Sequence, residues 1–220
     1  MKMFVIFVIL CLFISISGCI SSDTGGDDVG IYGDEVETLE YQGIELTPIS
    51  EQRNNAIKGT QGIIEDTYLL RIDGMVDEPL TLTYDQITSY PNVSKVVDLN
   101  CVEGWDFTGK WTGVPVATLL DEAGVQEGAT TVIFYSADGY STSLDLYYLI
   151  DNNIILAYRL NDVTLPQDRG FPLQLVAESK YGYKWAKWIT GIEVINEPYE
   201  GYWESRGYNN NADYGGPRFG

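Results

Sequence analysis

The chain of 220 residues contains no histidine, only three cysteines, and few bases. Each shortage excludes a chemistry. Without His there is no Ser-His-Asp or Cys-His nucleophile, no HExxH zinc site and no histidine-ligated haem. Cys11, Cys19 and Cys101 are too few for a four-thiolate zinc site, and no CxxCH haem-attachment motif occurs. With 13 Lys and Arg against 32 Asp and Glu, the net charge is −19. That excess argues against nucleic acid and anionic membrane surfaces as partners. What is present is the composition of a folded domain, 45% apolar and 13% aromatic, at a length suited to one domain plus appendages.

The apolar run Phe4 to Ile16 follows a single positive charge, Lys2. It falls short of the roughly 20 residues that span a bilayer, so residues 1–18 read as a signal peptide. Ile16-Ser-Gly-Cys19 resembles a lipobox, in which Cys19 is acylated after cleavage. An uncleaved membrane anchor is the alternative, and either one places the domain outside the cytoplasm. Cleavage removes Lys2 and Cys11 and moves the charge from −19 to −20. With Cys19 lipidated, Cys101 is the one thiol left, without an intramolecular disulfide partner in an oxidising compartment.

Residues 19–40 hold Ser-Ser, Gly-Gly and Asp-Asp pairs and no base, which predicts a solvated acidic tether. The domain is expected over 41–198, mixed α and β with β dominant and one or two short helices. Thr67–Gly74, Ser94–Cys101, Thr130–Tyr135, Ile154–Leu160, Leu173–Ala177 and Ile189–Ile195 read as strands. Pro115–Ala123, with Gly124 just past its end, reads as a helix. Tyr199–Gly220 has the composition of a loose tail, yet its aromatic side chains predict packing on the domain.

Three clusters carry possible chemistry. Asn100-Cys-Val-Glu-Gly-Trp105 puts a cysteine at a strand end, where it is either a soft metal ligand or buried filler. Asp138-Gly-Tyr-Ser-Thr-Ser-Leu144 is either a hydroxyl-bearing ligand site or a plain hairpin turn. Lys180-Tyr-Gly-Tyr-Lys-Trp-Ala-Lys-Trp188 gathers three bases, as an anion site or as a lysine-protected edge strand.

Taken in order, these blocks resemble the molybdopterin-binding domain of sulfite oxidases and periplasmic methionine sulfoxide reductases. Further matching text is Leu70-Arg-Ile-Asp-Gly-Met-Val76, Trp111-Thr-Gly-Val-Pro115, Gly170-Phe-Pro-Leu173 and Gly201-Tyr-Trp-Glu-Ser-Arg-Gly-Tyr208. The resemblance covers about 41–214. It implies a β-rich α+β fold of mixed sheets and a molybdenum–molybdopterin cofactor, with tungsten as the other metal of the same chemistry. It makes Cys101 the metal-ligating thiolate and Tyr140 the active-site tyrosine. Arg53, Asn54, Asn55, Ser136, Arg169 and the run Lys184, Trp185, Ala186 and Lys187 become the cofactor-binding residues. The reaction implied is two-electron oxygen-atom transfer on a small S- or N-oxide. Without a haem motif, electrons are exchanged with a separate haem or membrane protein, and the chain is expected to be monomeric.

The histidine shortage marks departures from that pattern. Asn55, Arg169 and Asn209 stand where relatives often carry His, and Gln174 stands where many carry Arg. A lost cation in so acidic a chain disfavours sulfite as substrate. Only Lys2 precedes the apolar run, so there is no twin-arginine signal for export of a loaded protein. A metal-free binding module that keeps the fold is the alternative these departures raise.

Overall fold

The computed structural model describes residues 30–220, so Cys11, Cys19, the apolar run and the first half of the acidic stretch lie outside it. The described part opens with two small hairpins, β1 (Ile31–Tyr32) with β2 (Glu35–Val36) and β3 (Glu40–Tyr41) with β4 (Ile44–Glu45). This corrects the tether boundary. Glu35 pairs with Arg159 at 2.7 Å, and the Thr38 N–H donates to Asn161 O. Buried Glu37 accepts from the Ile49 N–H and from Asn161 Nδ2. A scan for local bases misses these contacts because every partner but Ile49 lies more than a hundred residues away.

Two five-stranded sheets follow. The first contains β5 (Leu69–Gly74), β6 (Leu80–Thr83), β9 (Thr131–Ser136), β10 (Ser141–Asp145) and β14 (Ile189–Ile195). Its order is β10-β9-β14-β5-β6, and only the β14–β5 pair is parallel. Along β5, Leu70 and Ile72 are buried while Leu69, Arg71 and Asp73 are exposed, the period-2 alternation of a sheet with one wet face. The second contains β7 (Val93–Asn100), β8 (Asp106–Pro115), β11 (Ile155–Leu160), β12 (Val163–Thr164) and β13 (Gln174–Val176). It runs β12-β11-β8-β7, with β13 also on β11, and is antiparallel throughout.

Strand β8 was not predicted, because its two glycines weaken the β signal. Gly113 is there for space: a Cβ would lie 2.0 Å from Leu156 O on the neighbouring strand. Three short α-helices form where one or two were expected: α1 (Tyr84–Ser89), α2 (Val116–Ala123) and α3 (Leu146–Asp151). Thr83 and Gln86 make a reciprocal capping box for α1, and Asp145 caps α3. Gly124 ends α2 in the left-handed conformation at φ 70°.

Trp111, Phe134, Leu70, Ile72 and Leu119 are fully buried in the common core. The C-terminal segment lies along β10, where the Tyr202 N–H donates to Ser141 O and Ser143 Oγ to Tyr199 O. Among the described residues, no helix is long and apolar enough to cross a membrane.

Candidate functional site

The β7–β8 and β9–β10 turns, the loop after Gln52, the segment around 169–188 and the C-terminal segment enclose a cleft of about 600 Å³. Cys101 stands at its wall, one residue past β7. The turn that presents it is closed by Cys101 N–H to Trp105 O at 2.9 Å and Gly104 N–H to Cys101 O at 3.1 Å. Gly104 takes φ 88°, which a side chain resists. The thiol is half-buried, and that burial pushes its pKa up, partly offset by the Glu103 and Val102 N–H groups.

One wall is cationic. Lys187 Nζ donates to Asn55 O at 2.5 Å and to Asn54 Oδ1, and lies 4.6 Å from the centre of the Trp188 ring. Burial, helped by the Arg169 charge, lowers its pKa to about 8 against the pull of Asp138 and Asp168. Arg169, 6% exposed, donates to the carbonyls of Ile49, Gln52 and Arg53 and so fixes the backbone leading into Asn54. Its Nε, 3.5 Å from Asp168 Oδ2, makes no hydrogen bond and is a buried donor without an acceptor. Burial lowers the Arg169 pKa.

Another part of the lining is aromatic. Tyr140, Tyr183, Tyr202, Trp203 and Tyr208 form it. Tyr140 sits in the β9–β10 turn, so Asp138–Leu144 is a hairpin turn, one that also places Asp138 and Tyr140 in the cleft lining. Its N–H donates to Asp138 Oδ1 at 2.9 Å and its hydroxyl donates to Tyr183 O. Burial raises the Tyr140 pKa well above 10, so the phenol keeps its proton.

The structure thus brings Cys101, Tyr140, Arg53, Asn54, Asn55, Arg169, Trp185, Ala186 and Lys187 to one cleft, and leaves two expected residues out. Ser136 is buried in β9 away from the lining, its Oγ without a hydrogen-bond partner. Lys184 is fully buried, and its three N–H donors meet Glu204 Oε1 (2.6 Å), Ser143 O (2.9 Å) and Asn210 Oδ1 (2.9 Å). No donor remains for a cofactor. The lysine-rich segment is not an edge strand either, since Gly182–Lys184 forms a 3-10 turn.

Besides the aromatic residues Tyr183, Tyr202, Trp203 and Tyr208, two charged contributors were missed. Glu103 Oε2 accepts from Trp105 Nε1 (3.0 Å) and Asn55 Nδ2 (3.2 Å), tying the Cys101 turn to the Arg53–Asn55 loop. Those bonds, with Arg53 nearby, hold its carboxyl below the usual range. Its place two residues after Cys101 was the available signal. Glu204, the partner of Lys184, had no signal in the local sequence.

Residues 57–203, which hold most of this cleft, match the family described as the oxidoreductase molybdopterin binding domain. The chain belongs to that family. Members similar to it include an uncharacterized oxidoreductase YuiH of Bacillus subtilis, 34% identical over 145 residues, 66% of this chain and 73% of that protein. A putative protein-methionine-sulfoxide reductase subunit YedZ1 of Azospira oryzae is 38% identical over 65% of this chain and 55% of its own length. The mitochondrial sulfite oxidase of Drosophila melanogaster is 30% identical over 65% of this chain but only 30% of its own length. The chain therefore spans about half or less of these last two relatives. The sulfane dehydrogenase SoxCD of Paracoccus pantotrophus shares the fold, with TM-score 0.61 and 23% identity over 63% of this chain and 41% of its own.

As a member of that family, the chain is a β-rich α+β oxidoreductase, and the family implies a molybdenum–pterin cofactor. The residues present fit such a group. Among the described residues, no cluster of three His, Cys, Asp or Glu is placed to hold a metal by itself. One accessible thiol, a cationic wall and the orphaned Arg169 Nε are the donor set for a metal that arrives with its own sulfur ligands and an anionic tail.

Proposed function

We propose that this chain is an extracytoplasmic enzyme, anchored by a lipid on Cys19, that reduces a small S- or N-oxide with electrons from a separate partner. The observation that carries the reading is a single half-exposed thiol, Cys101, in a cleft also lined by Arg53, Arg169 and Lys187. Cys101 would hold the metal, and Lys187, Arg53 and Arg169 Nε would hold the cofactor's phosphate. Trp185 and Ala186 form the wall beside it. The cofactor, when bound, supplies the oxygen-atom and electron chemistry.

The protein's own part is to bind, orient and exclude water. Glu103 and Arg169 brace the Arg53–Asn55 loop from two sides. Tyr140, protonated and anchored on Tyr183 O, offers its phenol oxygen to the cleft as a fixed polar group. The aromatic wall suits an uncharged oxide with apolar substituents, and neutral, buried Gln174 adds no cation for a dianion such as sulfite.

Elemental analysis after expression in a cofactor-competent host tests the reading, coupled to a viologen-driven assay on dimethyl sulfoxide, methionine sulfoxide and trimethylamine N-oxide. The expected result is about one molybdenum or tungsten per chain and turnover of at least one oxide. Cys101→Ser is expected to abolish turnover while leaving the unfolding midpoint in place. Metal-free protein with a freely titratable Cys101 would sink the reading in favour of a binding module.

A further inference from the structure

We propose that the mouth of the cleft is the docking face for an acidic electron-carrier protein. The inference rests on the reading that electrons come from a separate partner, and deepens it by naming the face and the partner's charge.

Of the 12 bases in residues 30–220, half lie within 4.0 Å of a carboxylate of the described residues. The others are Arg53, Lys58, Arg71, Lys187, Arg206 and Arg218. Arg71 stands on the wet face of the first sheet, and the remaining five gather at the cleft. Arg53 and Lys187 line it. Lys58 Nζ lies 3.2 Å from where a Cβ on Gly139 would be, in the turn that carries Tyr140. The Arg206 guanidinium sits 3.7 Å over the Tyr202 ring of the aromatic wall. Arg218 lies 5.9 Å from the Tyr181 ring, which stacks on Tyr183 of the same wall.

Four carboxylates share this region and each already has a partner in the protein: Glu103 and Asp138 accept hydrogen bonds, Asp168 lies 3.5 Å from Arg169, and Asp213 pairs with Lys180 at 2.5 Å. The outer edge is also apolar. Phe219 is 66% exposed with its ring 5.2 Å from Tyr208, and Tyr214 is 58% exposed against Tyr181. Exposed aromatics flanked by arginine have the composition of a protein-binding hot spot. A small anion needs a few converging donors, whereas these cations are spread along the cleft and around an aromatic edge. That arrangement suits a large acidic surface. Elsewhere a chain of net charge −19 repels such a carrier, so its charge steers the partner to this one face. Reducing one oxide takes two electrons and two protons and yields the parent sulfide or amine and water. A one-electron carrier therefore docks twice per turnover, and the protons come from solvent.

The test uses the full-length, cofactor-loaded protein and an acidic flavodoxin as probe, with binding measured by interferometry and turnover driven either by reduced flavodoxin or by a reduced viologen dye. The double variant Arg206→Glu/Arg218→Glu is expected to weaken flavodoxin binding at least tenfold and to slow flavodoxin-driven turnover to match. Dye-driven turnover and the unfolding midpoint should not move. Lys58→Glu, at the β9–β10 turn, should weaken binding by a smaller factor, and raising the salt should erase the differences. The proposal is overturned if the unaltered protein does not bind flavodoxin. It is also overturned if the double variant binds within twofold of it, or if the same reversals abolish binding to phosphatidylglycerol vesicles instead. A loaded protein that binds flavodoxin but reduces no oxide with the dye leaves the docking face standing and removes the assigned reaction.

Discussion

Lys184 and Lys187 are three residues apart in one short segment, yet they belong to different regions of the molecule. Lys184 points into the packed seam between β10 and the C-terminal segment, where it is 0% exposed and every donor is matched by a protein acceptor. Lys187 points into the cleft, held by the Asn54–Asn55 loop, with a proton that burial has loosened. The first is a closed ion pair, which specifies where the C-terminal segment lies. The second is a partly buried charge whose complement is incomplete. A lysine kept charged at a cost to the free protein is a binding device, because an incoming anion removes that cost.

Breaking the first site should have the largest effect. Lys184→Met leaves the Glu204 carboxylate buried with its main partner gone, its Oε2 already lacking a hydrogen bond. The expected loss is about 3–5 kcal/mol of folding stability, measured by urea unfolding. Replacing both partners, Lys184→Met with Glu204→Leu, should recover most of that loss; no recovery would mean the seam depends on the ion pair itself.

At the second site the pattern should invert. Lys187→Ala is expected to shift stability by less than about 1 kcal/mol. Its loss of a charge-assisted contact should weaken cofactor retention by about ten- to a hundredfold, read as molybdenum content after dialysis.

A pH series sharpens the contrast. Lys187 titrates near 8 in the folded protein against 10.5 ordinarily. Sulfate, whose charge is constant over this range, should bind the cofactor-free protein evenly below pH 8. Above it, affinity should fall by up to tenfold per unit, followed by quenching of the nearby Trp185 and Trp188 fluorescence. Between pH 8 and 10.5 the unfolded chain still holds the proton that folded Lys187 has released. This group's contribution to stability therefore rises with pH across that window, and the burial cost is fully present below 8. In Lys187→Ala both trends should vanish.

The smallest expected effect comes from Asn54→Ala, which removes one acceptor of Lys187 and one donor to Asp168 O. Sulfate affinity should change by about three- to tenfold with the pH midpoint displaced, as fits one neutral hydrogen-bond partner.

Three of the five strands of the first sheet were legible, β5 from its alternation and β9 and β14 from their β-branched and aromatic residues. Residues 189–195 were placed to the residue, and β5 and β9 to within one or two at each end. Strand β8 was hidden by glycines that serve close packing, and the early hairpins by acids whose partners are far along the chain. In the site, Cys101 could be read from its place at a strand end. Ser136 could not, since one position along a strand moves a side chain from one face to the other.

The sequence by itself determined the chemical inventory. With no histidine, and Cys101 the one cysteine of the domain, little but a single thiolate could meet a metal, and with so few bases a cluster of three lysines had to mean something. Only the tertiary structure decided what each lysine does. The difference between closing a seam and facing a ligand depends on which carboxylates and carbonyls arrive from β10, from the Asn54–Asn55 loop and from the C-terminal segment. No window of local sequence contains those partners, because folding alone brings them within hydrogen-bonding distance.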